Sequence, residues 1–214
     1  MEHFAKDSVI LASAHDPSFI SRENLSRHSL CDDLKIALPH YTPTLVPHLH
    51  HVQASYPINS PSSSNESSAS PVLLGPVILH TPGHTPDEIA IWDEIEQVLY
   101  VGDTLYEWAP IIFPAEGSIV AWFASVDVLV SLVAPFPQAR IACGHVTTGR
   151  PATEVLTAAR AFLQDVVDGK EPARRKFEKR GEICAQYVQE GMRYSLVCPE
   201  RLVEEARQAI LSAR

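Results

Sequence analysis

The sequence predicts a mixed α/β (α+β) domain. Two observations lead to this fold class: short apolar runs alternate with turns along most of the chain, and two longer segments carry apolar residues at helical spacing. The 214 residues are 45% hydrophobic and 20% charged, which is typical of a globular protein with one large core. Collagen, coiled-coil and wholly disordered chains are therefore excluded.

The net charge and the apolar stretches of the chain limit the kinds of partner that it is expected to bind. The formal net charge is −9, and an acidic chain repels phosphate backbones, so no nucleic-acid partner is expected. The longest apolar stretch, Ile119–Phe136, carries Asp127 and is interrupted by Pro135, so no membrane span is expected either. Without a recognisable secretion signal, we expect a cytoplasmic protein whose cysteines are reduced structural thiols.

The first part of the chain is predicted to contain strands and one polar insert. Val9–Ala12 is an apolar run that predicts a buried strand, whereas residues 18–56 show only weak periodicity. The segment Ser60–Pro71 is dominated by serine and predicts a mobile surface insert. Since both flanks of this insert resemble strands, residues 1–214 are expected to form a single domain.

The rest of the chain alternates strands and helices. Strands are predicted at Val77–Leu79, Ile89–Trp92, Val98–Val101, Arg140–Ala142 and Tyr194–Val197. Helices are predicted at Ser118–Val133, Thr153–Asp168 and Pro199–Leu211. The charged segment Glu171–Glu182 is expected to be exposed, with its basic residues on a solvated helix face.

Three of the predicted strands end in the same way. Each runs into a glycine that is followed directly by a histidine or an aspartate, in the pairs Gly83–His84, Gly102–Asp103 and Gly144–His145. Glycine permits a tight turn and a close approach of the backbone to a ligand. Two histidines and one aspartate suit zinc, manganese or iron. The repeated pattern therefore predicts a shared metal site.

These segments resemble a known family. HTPGHT at residues 80–85, YVGDT at 100–104 and CGH at 143–145 are similar to the third, fourth and fifth motifs of the metallo-β-lactamase superfamily. The resemblance implies an αββα sandwich with a two-metal site at one edge. It implies that His84 binds the first zinc, that Asp103 bridges both metals as the catalytic residue, and that His145 binds the second. It also implies that His80 is a packing residue and not a ligand.

One motif of the family is missing from the chain. The His-x-His-x-Asp-His motif, which supplies most ligands of the first zinc, is not found upstream of His84. We therefore expect the C-terminal portion of the fold, incomplete at its N-terminus, with zinc or another divalent metal bound partially or not at all. Recruitment of His15, or of His48, His50 and His51, is the alternative source of ligands; otherwise the last three lie in a solvated loop.

The resemblance implies a hydrolase of an ester, thioester, lactone or similar small substrate. The alternative is a catalytically impaired or non-catalytic scaffold of the same fold. The sequence assigns no substrate-binding residues. The run Tyr106–Trp108 either lines a pocket or belongs to the core. Cys143 is expected to be buried rather than catalytic. An incomplete sandwich leaves a sheet edge unpaired, so a homo-oligomer formed through that edge is expected.

Overall fold

The computed structural model describes residues 9–29, 31, 34–54 and 72–212. Within these ranges the chain forms three sheets and four helices. The predicted insert Ser60–Pro71 lies outside the described residues, as do residues 1–8.

The smallest sheet is formed near the start of the described chain. Strand β1 (Leu11–Ser13) pairs in parallel with β2 (Thr44–Val46), and helix α1 (Arg22–His28) lies between them in sequence. The strand predicted at Val9–Ala12 is thus confirmed with a small shift.

A six-stranded sheet carries the predicted site. Its order is β3-β4-β5-β6-β8-β9. The bounds are β3 (His50–Ala54), β4 (Val72–His80), β5 (Ile89–Asp93), β6 (Val98–Tyr100), β8 (Arg140–Ala142) and β9 (Thr148–Pro151). Strands β4, β5 and β6 form an antiparallel meander, in which the predicted strands Ile89–Trp92 and Val98–Val101 pair as a hairpin.

A four-stranded sheet and three helices complete the domain. The sheet order is β10-β11-β12-β7, with bounds β7 (Pro110–Ile112), β10 (Arg175–Lys179), β11 (Glu182–Val188) and β12 (Ser195–Pro199). The helices are α2 (Ile119–Val133), α3 (Ala152–Val167) and α4 (Glu200–Ser212). All three helices agree with the predicted segments because their apolar faces enter one core that both of these sheets share.

The register of β6 and β8 places the ends of the two strands side by side. They pair in parallel, with Tyr100 opposite Ala142. The turns that follow, Gly102–Asp103 and Gly144–His145, therefore leave the sheet at the same edge.

Helix α2 holds two turns at this edge of the sheet through hydrogen bonds from its buried face. The fully buried Trp122 indole N–H donates to the Thr104 carbonyl across 2.6 Å. The Ser125 hydroxyl donates to the Pro82 carbonyl across 2.7 Å. One helix thus fixes both the turn before His84 and the turn after Asp103.

Three local expectations were wrong. His50 and His51 belong to β3, which pairs with β4, and do not lie in a solvated loop. Three basic residues of the segment 171–182 lie on β10 and the other two, Arg174 and Arg180, flank it, so none lies on a helix; β10 pairs with β11 while remaining largely exposed. Strand β7 was not predicted, since it is short and begins with a proline.

Strands β3 and β9 form the two edges of the six-stranded sheet. Association of two chains through such an edge stays a prediction. None of the helices in the described ranges has the length and apolar character needed to cross a membrane.

Candidate metal centre

Two glycines let the site turns approach their neighbours more closely than any other residue allows. A Cβ atom at Gly83 would lie 2.6 Å from the Cα atom of Trp122. A Cβ atom at Gly144 would overlap the Oδ1 atom of Asp103. The sequence pattern predicted a tight turn and a close approach to a ligand at these positions; the structure shows close approach to Trp122 and to Asp103, and approach to a ligand stays a prediction.

Asp103 and His145 form the most direct contact of the predicted site. The Asp103 Oδ1 atom lies 3.4 Å from His145 Nε2, and the two side chains are 41% and 61% exposed. The Tyr106 ring contacts the His145 ring edge-on, with 5.2 Å between the centroids. A carboxylate and an imidazole thus meet at the sheet edge, where solvent or a small ligand reaches them.

His84 lies deeper than the other two predicted ligands. Its Nδ1 atom is buried and has no hydrogen-bond partner, and its ring contacts Phe113 at a centroid distance of 5.8 Å. Burial lowers the pKa of His84, while the charges of Asp103 and Asp87 oppose that shift. The imidazole is therefore held neutral, which is the form that binds metals.

Glu88 is a site residue that the sequence analysis missed. Its Oε1 atom accepts a hydrogen bond from the Asp103 main-chain N–H across 3.1 Å, while its Oε2 atom is buried without a partner. Burial, reinforced by the charge of Asp103, raises the pKa of Glu88 to about 8. Its position four residues after His84 was the available signal, but its burial depends on the β6 turn that covers it.

The side chains of the site are of the types that bind divalent metals, but few of them are present. Asp103 and His145 supply a hard carboxylate and a borderline imidazole, and the unpartnered Nδ1 atom of His84 is a further free donor. Among the described residues, however, no group of three or more His, Cys, Asp or Glu side chains is close enough to hold a metal ion. Convergence of all three residues on one ion stays a prediction.

Two of the four candidate replacement ligands, His15 and His48, contact His80, whereas His50 and His51 lie on β3. The His15 ring lies 4.0 Å from the His80 ring, centroid to centroid. His48 Nδ1 accepts the His80 main-chain N–H across 3.0 Å, and His80 Nε2 lies 3.0 Å from the Pro86 carbonyl. These histidines connect the small sheet to the end of β4, and they form no metal cluster within the described ranges.

The run from Tyr106 to Trp108 divides between core and surface. Tyr106 and Glu107 are buried, whereas Trp108 is exposed. The Cys143 thiol is a poor nucleophile, because burial, with smaller contributions from Glu107 and Asp103, raises its pKa to about 12. Cys143 is half-buried and not fully buried as expected, and its raised pKa disfavours the reactive thiolate.

Comparison with known families identifies the fold. A family model described as the metallo-beta-lactamase superfamily matches residues 29–145, which is more than half of the chain. The chain belongs to this superfamily. The matched range contains the three motifs, the Asp103–His145 contact and Glu88. The resemblance stated from the motifs and the sandwich fold expected from it are therefore confirmed.

Individual relatives are more distant. A protein of Aspergillus versicolor named "Putative transcription factor avaE" is 28% identical over 153 residues, which are 67% of this chain and 45% of that protein. The chain thus spans less than half the length of this curated relative.

Solved structures of the superfamily also match. The crystal structure of TTHA1623 in a di-iron-bound form is 21% identical with a TM-score of 0.47, over 69% of this chain and 62% of that one. The metallo-beta-lactamase family protein TTHA1429 from Thermus thermophilus is 16% identical with a TM-score of 0.48, over 79% of this chain and 57% of that one.

Proposed function

We propose that the chain is a metal-dependent hydrolase of a small ester, thioester, lactone or similar substrate. The observation that carries the proposal is the contact of 3.4 Å between Asp103 and His145 at the edge of the large sheet. In this proposal zinc, or another divalent metal, binds to these two side chains, and His84 contributes from the buried side.

The residues of the chain have separate tasks in this proposal. A divalent metal supplies Lewis acidity, which polarises a carbonyl group and makes water a stronger nucleophile near neutral pH. Asp103 provides the negative charge that holds the metal, and His145 provides a neutral nitrogen donor. The hydrogen bond from the Asp103 main-chain N–H to Glu88 fixes the turn that carries the carboxylate, and the missing Cβ of Gly144 leaves room for the Asp103 Oδ1 atom.

A non-catalytic scaffold of the same fold is the second candidate. It is favoured by one specific observation, namely that the described residues contain no group of three metal-binding side chains. A site with fewer protein ligands binds its metal more weakly, because fewer groups replace the water shell of the ion.

The proposal assigns a small-molecule substrate and a cytoplasmic location. The relative named as a transcription factor raises the question of DNA binding, but a net charge of −9 disfavours contact with phosphate backbones. Absence of a nucleic-acid partner remains part of the proposal.

Hydrolysis assays test the proposal. We expect the full chain to hydrolyse 4-nitrophenyl acetate, S-acetyl-N-acetylcysteamine or γ-butyrolactone only after addition of Zn²⁺, Mn²⁺ or Fe²⁺. Asp103→Asn abolishes this turnover, whereas the surface control Asp165→Asn, whose partner is Lys170, leaves it unchanged. Metal binding without turnover of any ester, thioester or lactone would instead support the scaffold.

A further inference from the structure

Trp108 differs from the other tryptophans of the chain. Trp92 and Trp122 are buried in the core, whereas the Trp108 side chain is 56% exposed. Its backbone has a φ of +57°, which is uncommon and strained for a bulky residue. The surrounding structure must therefore hold this indole in its exposed position.

Trp108 is supported by Arg193 and by the ion pair that Arg193 forms with the buried Glu107. The Trp108 main-chain N–H donates to the Arg193 carbonyl across 2.7 Å. Next to it, the fully buried carboxylate of Glu107 accepts from Arg193 Nε across 2.7 Å, and the Glu107 main-chain N–H donates to the Thr147 hydroxyl across 2.7 Å. These bonds on both sides of the residue hold its strained backbone.

Trp108 lies on one of the two loops that form the Asp103–His145 contact. The two loops that follow β6 and β8 run side by side: Asp103 lies beside His145, and Glu107 beside Thr147. Trp108 is five residues after Asp103, so their Cα atoms are at most about 17 Å apart, within the reach of a substrate.

The second loop also projects an apolar side chain into solvent. Val146, directly after His145, is 64% exposed with a φ of +54°, an outlier for a β-branched residue. The Arg150 guanidinium lies over the Trp108 ring, 5.9 Å from its centroid. Both loops of the site thus present an exposed apolar residue in a strained backbone, and one of the two carries an adjacent cation.

We infer that Trp108, Val146 and Arg150 form an acyl-binding subsite for aromatic acyl groups. An aromatic acyl group gains binding free energy from two contacts. Its ring stacks on the Trp108 indole, and its π face attracts the Arg150 guanidinium. An aliphatic acyl group gains only from burial of apolar area. The identity of the bound group as a substrate rests on the proposed function, whereas its binding rests on these residues alone.

Binding without turnover separates the subsite from the reaction. The full chain is titrated in EDTA with S-benzoyl-N-acetylcysteamine and with S-heptanoyl-N-acetylcysteamine, whose acyl groups have the same number of carbon atoms. Trp92 and Trp122 also emit, but they are buried and out of reach of a bound ligand, so a change in emission during the titration reports on Trp108. We expect saturable quenching and binding of the benzoyl thioester about threefold to tenfold tighter, which is the size of an aromatic stacking contact.

Calorimetric titration of variants with the same two thioesters tests whether these residues form the subsite. Trp108→Ala loses the preference for the benzoyl thioester, Trp108→Phe retains it, and Val146→Ser weakens binding of both thioesters. Val128→Ala is the matched control, because Val128 is 48% exposed on α2 and belongs to neither loop. Equal affinity for the two thioesters, or an unchanged preference in a folded Trp108→Ala variant, would overturn the inference. Tight benzoyl binding without metal-dependent turnover would overturn only the proposed function.

Discussion

The main-chain N–H of Asp103 donates a hydrogen bond to the Glu88 carboxylate across 3.1 Å. This bond ties the turn after β6 to the loop that carries His84, so two separate sequence motifs are held in one arrangement. Glu88 is buried beside a second carboxylate, and its Oε2 atom has no partner. Such a group costs stability when it is charged.

Glu88→Gln tests this cost. The Glu88 carboxyl has an ordinary pKa of 4.5, and burial raises the pKa to about 8 in the folded chain. Between these values the folded chain binds more protons, so the free energy of unfolding falls as pH rises. The Gln variant lacks this decrease and should be more stable near pH 8 by about 1–4 kcal/mol. Urea denaturation of the parent chain and of Glu88→Gln, in EDTA at several pH values, measures this difference in the free energy of unfolding. Parallel pH profiles for the two proteins would contradict the prediction.

His80 produces the opposite pH dependence. Burial lowers the pKa of His80 below 6.5, and the charges of His15 and His48 lower it further, while Asp87 acts in the other direction. Above pH 6.5 the stabilisation is complete, and it is lost as pH falls through the folded pKa, because the unfolded chain then binds more protons.

The His80 prediction is measured as a difference between variants. In His80→Phe, denaturation at about pH 5 and about pH 7 should show a smaller loss of stability on acidification than in the parent chain. His51→Phe is the control, because His51 is exposed on β3 and should leave the loss unchanged. An identical acid loss in parent and His80→Phe would refute the role of His80.

The three strand–glycine turns show how far the sequence alone can predict a site. The pattern located Asp103 and His145 because a glycine at a strand end constrains the next side chain locally. Glu88, by contrast, looked like an ordinary acidic loop residue. Its burial arises only when the β6 turn folds over it, and no local pattern records that contact.

The missed strands have a similar physical reason. His50 and His51 are polar, and they form a strand only because β4 offers main-chain partners. The alternating charges of β10 likewise pair with β11 on an exposed surface. Helices α2, α3 and α4 were predicted well because their apolar spacing is a property of each segment itself, whereas α1 was not predicted, since residues 18–56 show only weak periodicity.

Removal of the Glu107 carboxylate should destabilise the chain strongly. Glu107 is fully buried and accepts from Arg193, whose guanidinium also pairs with Glu154, so Glu107→Ala removes the buried carboxylate of this ion-pair network. We expect a loss of about 2 kcal/mol in the free energy of unfolding, and a smaller loss in Glu107→Gln. The surface control Glu205→Ala, which breaks the exposed pair with Arg201, should cost less than about 1 kcal/mol. Equal losses at the two positions would contradict the prediction.

Gly144→Ala should act on the metal site through Asp103. The added methyl group would occupy the position of the Asp103 Oδ1 atom and displace the carboxylate. We expect Co²⁺ affinity to fall at least about tenfold, as when a neighbour of a metal ligand is disturbed. Gly149→Ala is the control: its methyl group would meet no atom within 4 Å, and the only cost is backbone strain at a φ of +69°. The Co²⁺ affinity of this variant should therefore not change. Unaltered Co²⁺ binding in Gly144→Ala would argue against the predicted arrangement.

Calorimetric titration of the metal-free full chain with Zn²⁺ tests the central claim most directly. The account predicts no more than one weakly bound ion per chain, removable by a chelator. Asp103→Asn and His145→Gln should each weaken this binding at least about tenfold, while Asp165→Asn leaves it unchanged. Two tightly held ions per chain, or unchanged Zn²⁺ affinity in both site variants, would contradict the assignment of Asp103 and His145 as the metal-binding pair.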